Sequence, residues 1–336
     1  MAISSGFGPH RAWLTVSGQT FPVLNGSANQ TTTKKSASFS ATIVLTPATE
    51  ALFAGLGDND ASVSVQTNGA QATLVAGEID SVRNDYIAGT IAVTGRCKSA
   101  KLHEKKTSEK WLNKKHTEVV QDLASRVGLS VDMGSFDALK AGRFIQLDWA
   151  KVTDNVSYAS VLHRAAEALG ARWWVDAKGV LHMQPLGSPK GVYTINYRDN
   201  PKSADVLKLE ICRNIPAGKP LTVKVHSFHP GQKRNYAGTY TIGGNGSSVI
   251  YGFHVPGHSQ DHVNAHAKHK AKEIAKHEIQ LSARMIGDPT IDIAMGLQLS
   301  GTAYAQTFEM DEISHSFGMR GHTMHISAKS AKAGRS

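Results

Sequence analysis

Between Val152 and Pro185 the chain changes its hydrophobic period, and that change limits the folds open to it. Val156, Val161, Leu162, Ala165, Ala166 and Leu169 recur at helical spacing, and Gly170 stands where a left-handed residue closes a helix. Arg172–Val175 and Val180–Met183 then read as two strands joined by a turn at Asp176–Gly179. Before Cys97 and after Gly191 the sequence reads mostly as strand. The expected plan is β-rich α+β, with a β block at 1–97, an inserted helix-and-hairpin module at 98–190, a second β block at 191–328 and a basic tail at 329–336.

In the first block, Ala12–Val16 and Thr20–Leu24 flank Ser17-Gly18 as a hairpin, and Asn25–Ser36 is polar enough to be a loop or an extended hairpin tip. Phe39, Ala41, Ile43 and Leu45 share one face of a strand at Ala37–Leu45. Thr46 and Pro47 suit the cap and first position of one or two helical turns ending near Leu56. Strands at Ser62–Thr67, Ala72–Val82 and Thr90–Gly95 complete a barrel or sandwich. The module adds a helix at Thr117–Val127, capped by Thr117 or His116, and a strand edge at Phe144–Leu147.

The second block offers strands at Val192–Ile195, Leu207–Ile211 and Leu221–Phe228, then a turn-rich loop or exposed hairpin at Gly231–Gly246. A long helix is expected from Ser259, its N-cap, to Ser282, with Val263, Ala267, Ala271, Ile274 and Ala275 on its apolar face. Strands at Thr290–Ile293, Leu297–Ser300, Thr307–Phe317 and Thr323–Ala328 close the chain. No sequence repeat between the two blocks is evident.

Charge and cysteine usage narrow the function classes. Two cysteines, Cys97 and Cys212, cannot build a disulfide framework, and the N-terminus lacks the apolar run of a signal peptide. No stretch has the roughly 18 to 20 apolar residues that span a bilayer, so no membrane insertion is expected. The net charge of +10 suits nucleic acid, an acidic protein or a polar surface alike. Lysines cluster at Lys98–Lys115, Lys268–Lys276 and Lys329–Arg335, and interleaved Glu104, Glu109, Glu118, Glu273 and Glu278 make the first two read as solvated faces.

Chemistry has few candidates. His254, His258, His262, His266 and His269 recur at three- and four-residue intervals, and on a helix His262, His266 and His269 share a face that could bind zinc. No HExxH pattern lies nearby, so a solvated or subunit-facing polar stripe is the favoured reading. Glu78 and Asp80 could act as paired carboxylates, but on a strand they read as exposed acids. Trp111, Trp149, Trp173 and Trp174 serve as core filling or, less readily, as a base-stacking platform. Gly-x-Ser-x-Gly and the phosphate-binding Gly-x-x-x-x-Gly-Lys pattern are both absent. The expectation is therefore a non-enzyme with no catalytic, cofactor-binding or metal residues.

Several segments, in order, resemble one family. Trp111-Leu112-Asn113-Lys114 leading into Glu118-Val119-Val120, Leu123-Ala124 and Gly128-Leu129 resembles a helix of phage tail baseplate hub proteins, the late control protein D group that includes the hub part of VgrG proteins. Val161–Gly170 with Gly179–Pro185 is similar to a second family signature. Ala76–Val82 and Val93–Arg96 are similar to the end of its first barrel, and Met295–Gly301 and Ile313–Phe317 to the close of its second. Cys97, where an acidic residue is expected, and the His-rich start of the long helix depart from the pattern.

The resemblance implies two tail-tube-like β-barrel domains with the small α/β module inserted between them and lying outside. Three copies would form a homotrimer with pseudo-sixfold symmetry, joining a sixfold tail tube protein to a threefold central spike protein and leaving a lumen for DNA. Tape measure protein and other baseplate proteins are further implied partners, and the implied location is the virion tail baseplate, assembled in the host cytoplasm. The implied alternative is the hub of a VgrG-like contractile injection system. A His-rich metal-binding or nucleic-acid-binding protein is the remaining reading.

Overall fold

The computed structural model describes residues 10–32, 35–57, 60–67, 69–109, 111, 114–136, 155–197, 206–229, 233–243, 248–255, 257–319 and 321–331. The first part of the chain forms β1 (His10–Val16), β2 (Gln19–Pro22), β3 (Asn25–Thr31), β4 (Ser38–Val44), α1 (Pro47–Ala54), β5 (Asp60–Thr67), β6 (Ala70–Asp85) and β7 (Thr90–Cys97). The middle forms α2 (Ala100–Glu104), β8 (Lys106–Thr107), α3 (His116–Ser125), β9 (Ser130–Met133), β10 (Val156–Ser157), α4 (Tyr158–Leu169), β11 (Ala171–Val175) and β12 (Val180–Pro185). The rest forms β13 (Val192–Asn196), β14 (Val206–Arg213), β15 (Leu221–His229), β16 (Arg234–Ile242), β17 (Val249–His254), α5 (Gln260–Ala275), β18 (Ile279–Ile286), β19 (Gly296–Ser300), β20 (Thr307–Gly318) and β21 (Gly321–Ser330).

Local signals place the helices. Thr46 accepts the Thr49 N–H on its hydroxyl at 3.1 Å while its own N–H donates to Thr49 Oγ1 at 2.8 Å, so two otherwise orphaned donors at the start of α1 are satisfied together. Helix α4 starts at Ser157, whose hydroxyl accepts the Ser160 N–H, and stops at Gly170 with φ +61°. The β11–β12 turn is held by the Asp176 carboxylate, which accepts the N–H groups of Lys178 and Val180 at 2.9 Å each. Helix α3 is capped by neither His116 nor Thr117. Lys115 is its N-cap residue, and the backbone N–H of Lys115 donates to the Glu118 carboxylate at 3.0 Å.

The structure decides two segments with open alternatives and corrects two others. Of loop and extended hairpin tip, Asn25–Ser36 is nearer the second: most of it is β3, a mid-sheet strand paired antiparallel with β4 and hard to read from sequence because only Ala28 and Thr31 turn fully buried side chains inward. The long helix ends at Ala275. After one 3-10 turn the chain becomes β18, where Leu281, Ala283 and Met285 are buried at alternate positions, a period of two that a helix cannot use. Thr290–Ile293 is not a strand, although Ile291 and Ile293 are buried. Of loop and exposed hairpin, Gly231–Gly246 takes the hairpin: much of it is the nine-residue β16, mostly exposed and paired antiparallel along its length with β15, while β17 pairs β15 on the other side. Phe144–Leu147 and Trp149 lie outside the described residues.

One 13-stranded sheet runs through both outer parts of the chain in the order β14-β18-β21-β20-β3-β4-β7-β6-β5-β1-β2, with β19 and β13 attached beside β20. Its path has open ends, so among the described residues neither part closes into a barrel. Helices α3 and α4 pack on β9, β11 and β12 around Leu123, Leu162 and Met183, and α5 packs on β15 and β16 around Val223 and Ala267. Two aromatic side chains lock neighbouring cores together. Phe317 of β20 joins the core of the first part, and Trp174 of β11 joins that of the last.

Within the long sheet an order repeats. The four strands β14-β18-β21-β20 and the four strands β3-β4-β7-β6 have the same arrangement, each ending in a hairpin formed by its last two strands in sequence. The correspondence reaches single residues. In β6–β7, Glu78 pairs Arg96, Ile79 pairs Gly95, and the register then skips Asp80 so that Ser81 pairs Thr94 and Val82 pairs Val93. In β20–β21, Glu309 pairs Lys329, Met310 pairs Ala328, and the register skips Asp311 so that Glu312 pairs Ser327 and Ile313 pairs Ile326. Each bulge therefore carries an aspartate, and each aspartate is bound by the cation across the hairpin: Asp80 by Arg96 and Asp311 by Lys329, both at 2.7 Å. A Glu-apolar-Asp-x-apolar segment answered by a small residue and then a cation is thus present twice, and only the shared register makes it visible.

Candidate functional site

The histidine series does not converge as a whole: His258, His262 and His266 meet, and His254 and His269 have other neighbours. His254 lies on β17 and stacks on His226, ring centroids 5.7 Å apart. His258 meets His262 and His266 edge-on at 5.5 and 6.4 Å, and Ser259 stands at the N-cap of α5 as expected, with its hydroxyl hydrogen-bonded to His262 Nδ1 at 2.7 Å rather than to a backbone N–H. His269 lies against Gly170, where a Cβ would come within 2.3 Å of its ring, so it seals α5 against the end of α4. Burial pulls the His266 pKa down to about 4, helped by the neighbouring Lys270. Burial pulls His116 down to about 4 as well, with His262 adding to the effect. His266 and His116 thus sit in packed surroundings that favour the neutral form. Among the described residues no group of three or more His, Cys, Asp or Glu side chains is arranged to hold a metal ion.

The paired carboxylates are occupied by structure. Arg96 grips Asp80 through two hydrogen bonds of 2.7 Å and reaches Glu104 with a third, while Glu78 is bound by Lys101. Its hydrogen bonds to Asp80 and Glu104 raise the Arg96 pKa further. An open cleft of about 1050 Å³ between the first part and the middle is lined by this mixture of charges. Its lysines are largely answered: Lys98 by Asp60 and Lys101 by Glu78. Trp111, Trp173 and Trp174 are buried, Trp111 donating to Asp122 at 3.0 Å, so none of these three offers a face to a base.

The Lys268–Lys276 run departs from the expected solvated face. Lys270 reaches Glu167 on α4 at 3.0 Å, and Lys276 is buried against Glu309. Glu309 also accepts the Gly187 N–H. Beside it the buried Arg172 guanidinium donates to the carbonyls of Ile293, Met310 and Ala294 at 3.1 to 3.4 Å and lies over the Trp174 ring, 5.2 Å from its centroid. The middle of the chain is thereby fixed to the last part by charge-assisted hydrogen bonds in a desolvated setting. A second polar seam ties the last part to the first: Thr67 hydrogen-bonds His322 Nδ1 at 2.7 Å, and His322 Nε2 lies 3.0 Å from His315 Nδ1.

What remains accessible is backbone. Strand β14 pairs only β18, leaving its other edge open among the described residues. Strand β6 pairs β5 only as far as Glu78, so beyond its bulge the outer edge of Ser81–Asp85 has no partner strand among the described residues. Exposed Tyr86, Ile87 and Leu207 flank these edges. Unpaired edges with apolar neighbours are assembly surfaces unless something covers them. Neither edge could be found from the sequence without the strand order.

No protein-family model matches the sequence, and none of the curated proteins does. Solved structures do match. The chain is similar to a tail protein from Neisseria meningitidis MC58, with a TM-score of 0.72 and 12% identity over 95% of this chain and 96% of that one. It is similar to the 43 kDa tail protein of prophage MuSo2 from Shewanella oneidensis, with a TM-score of 0.67 and 12% identity over 97% and 98%. An E. coli type VI secretion system component, itself described as similar to the T4 bacteriophage tail proteins gp27 and gp5, matches with a TM-score of 0.60 and 10% identity over 96% of this chain and 79% of that one. The chain has the β-rich fold of these tail and secretion proteins.

Proposed function

We propose that the chain is the structural, non-enzymatic hub of a phage tail baseplate. It would act as a homotrimer whose six four-strand units match a sixfold tail tube protein above and whose threefold axis matches a central spike protein below. One observation carries this reading: the same strand order, bulge and ion pair occur twice in one chain and lie in tandem in one sheet. A chain that holds two equivalent units turns three subunits into six quasi-equivalent positions, and closed rings require heterologous contacts of this kind.

In this reading residues 1–97 and 191–328 are the two tube-like domains, with barrel character completed in the ring. Residues 98–190 are the module packed outside it, and 329–336 form the basic tail. The lumen would pass DNA, with tape measure and other baseplate proteins as further contacts, in a virion tail put together in the host cytoplasm. Among the described residues no helix is long and apolar enough to cross a membrane. No catalytic, cofactor or metal residue is assigned. The likeness to a type VI secretion component supports a second reading, the hub of a contractile injection machine, which differs in the spike attached below and in cargo.

Light scattering on the purified chain tests the proposal. A particle of about 108 kDa, three 36.0 kDa chains, is expected, and a strict monomer at high concentration contradicts it.

A further inference from the structure

The repeated strand order predicts a contact as well as a history. Inside the chain, β20 beyond its Asp311 bulge pairs antiparallel with β3: Ser314 faces Asn29, His315 faces Ala28 and Phe317 faces Gly26. The counterpart of β20 is β6, and the counterpart of β3 is β14, because β3 and β14 occupy the same place beside β4 and β18. Those two counterparts are the two open edges. We infer that Ser81–Asp85 of one copy pairs antiparallel with β14 of a second copy, in the register by which β20 pairs β3 within the chain. This inference rests on the trimeric reading and deepens it by naming the partner, a second copy of the same chain, and the strands that meet.

Carrying the register across assigns each position. The hairpins correspond as Ser314 to Arg83, His315 to Asn84 and Phe317 to Tyr86. The edge strands correspond as Asn29 to Cys212, Ala28 to Ile211 and Gly26 to Leu209. Between copies, Arg83 therefore faces Cys212, Asn84 faces Ile211 and Tyr86 faces Leu209. The side chains suit the contact. Tyr86 is 66% exposed where its counterpart Phe317 is 3% exposed, as expected of an aromatic whose cover is another subunit. Arg83 lies diagonal to Glu210 and Asp85 diagonal to Lys208, which places opposite charges within cross-strand reach. Asp85 itself falls opposite Glu210, but its carboxylate is already held by the N–H groups of Ile87 and Ala88. The contact is heterologous, joining two different surfaces, so repeating it with a threefold rotation closes a ring and cannot give an isologous pair.

Cys212 is a free, exposed cysteine and makes the test simple. Facing residues of paired strands have Cα atoms about 4.5 to 5.5 Å apart, within the range a disulfide spans. Arg83→Cys in the full chain, treated with diamide, is expected to give covalent dimer and trimer on a non-reducing gel. Adding Cys212→Ser should abolish both, and Asn84→Cys, which points to the opposite face, should cross-link at least tenfold more slowly. If light scattering shows a trimer and Arg83→Cys stays uncross-linked, or Asn84→Cys reacts as fast, the inference is wrong while the hub reading stands. A strict monomer of the parent chain overturns both.

Discussion

The hairpins β6–β7 and β20–β21 share their register, their bulge and their aspartate–cation pair, yet their surroundings differ throughout. In β20 the residues past the bulge are covered: Ile313, His315 and Phe317 are buried beneath the pairing with β3. In β6 the matching Val82, Asn84 and Tyr86 are partly or largely exposed. The carboxylates differ in the same sense. Glu309 is buried with Lys276, whereas Glu78 pairs Lys101 near the surface. One backbone design is thus used twice, once with its edge satisfied inside the chain and once with that edge open among the described residues, and the side chains differ accordingly in burial.

The largest expected effect comes from the carboxylates. Glu309→Gln leaves Lys276 buried without its counter-charge and should cost about 3–5 kcal/mol in denaturant unfolding. Its counterpart Glu78→Gln should cost less than about 1 kcal/mol, the range of surface ion pairs. Equal losses would mean that the two hairpins do not differ in burial as described.

Acid should separate the halves next. Burial, with His322 close by, brings the His315 pKa down to about 3, and burial with a contribution from His10 brings His322 down to about 4, while Asp288 opposes both shifts. Both are lowered from the ordinary 6.5, so the unfolded chain binds more protons below that pH. The stability they support is present above pH 6.5 and is lost as pH falls toward 4, each histidine giving up on the order of 1.4 kcal/mol for every pH unit of that fall. The equivalent positions in the first hairpin are Asn84 and Gly89, which do not titrate. Hydrogen exchange at pH 5 against pH 7 should therefore show loosening at β20–β21 before β6–β7, and His315→Asn should flatten the difference.

Smaller is the seam at Gly26. A Cβ there would lie 2.4 Å from the Ser40 carbonyl oxygen and 2.6 Å from the Phe317 ring, so Gly26→Ala should cost about 1–3 kcal/mol by overpacking. The corresponding residue of β14 is already Leu209, and Leu209→Ala should change monomer stability much less. Tyr86→Ala should be the mildest for the monomer, within about 0.5 kcal/mol, as its one hydrogen bond is to the exposed side of Glu50. It should nonetheless weaken assembly measured by sedimentation.

Much of this was legible in advance because burial wrote it into the sequence. Helix α4, its Gly170 stop and the β11–β12 turn follow from period and turn chemistry, and β4, β20 and β21 from alternation. What was hidden lacked an apolar signature. Strand β3 is Asn-Gly-Ser-Ala-Asn-Gln-Thr and is a strand because both its edges are paired, by β4 and β20. The expected span of α5 runs too far because Ile279 and Leu281 continue its apolar count while belonging to a strand. The repeat is faint in the letters because beyond Glu78/Glu309 and Asp80/Asp311 it preserves roles instead: Ile79 answers to Met310, Gly95 to Ala328, Arg96 to Lys329. The open edges are properties of strand order, which no single segment of sequence contains.

Electron-microscope averages of the assembled particle, viewed down its axis, test the central claim most directly. Six similar lobes arranged with strict threefold symmetry are predicted, alternating between the two four-strand units of each chain. A particle with two-fold symmetry, or three lobes with the β6 and β14 edges facing solvent, would contradict it.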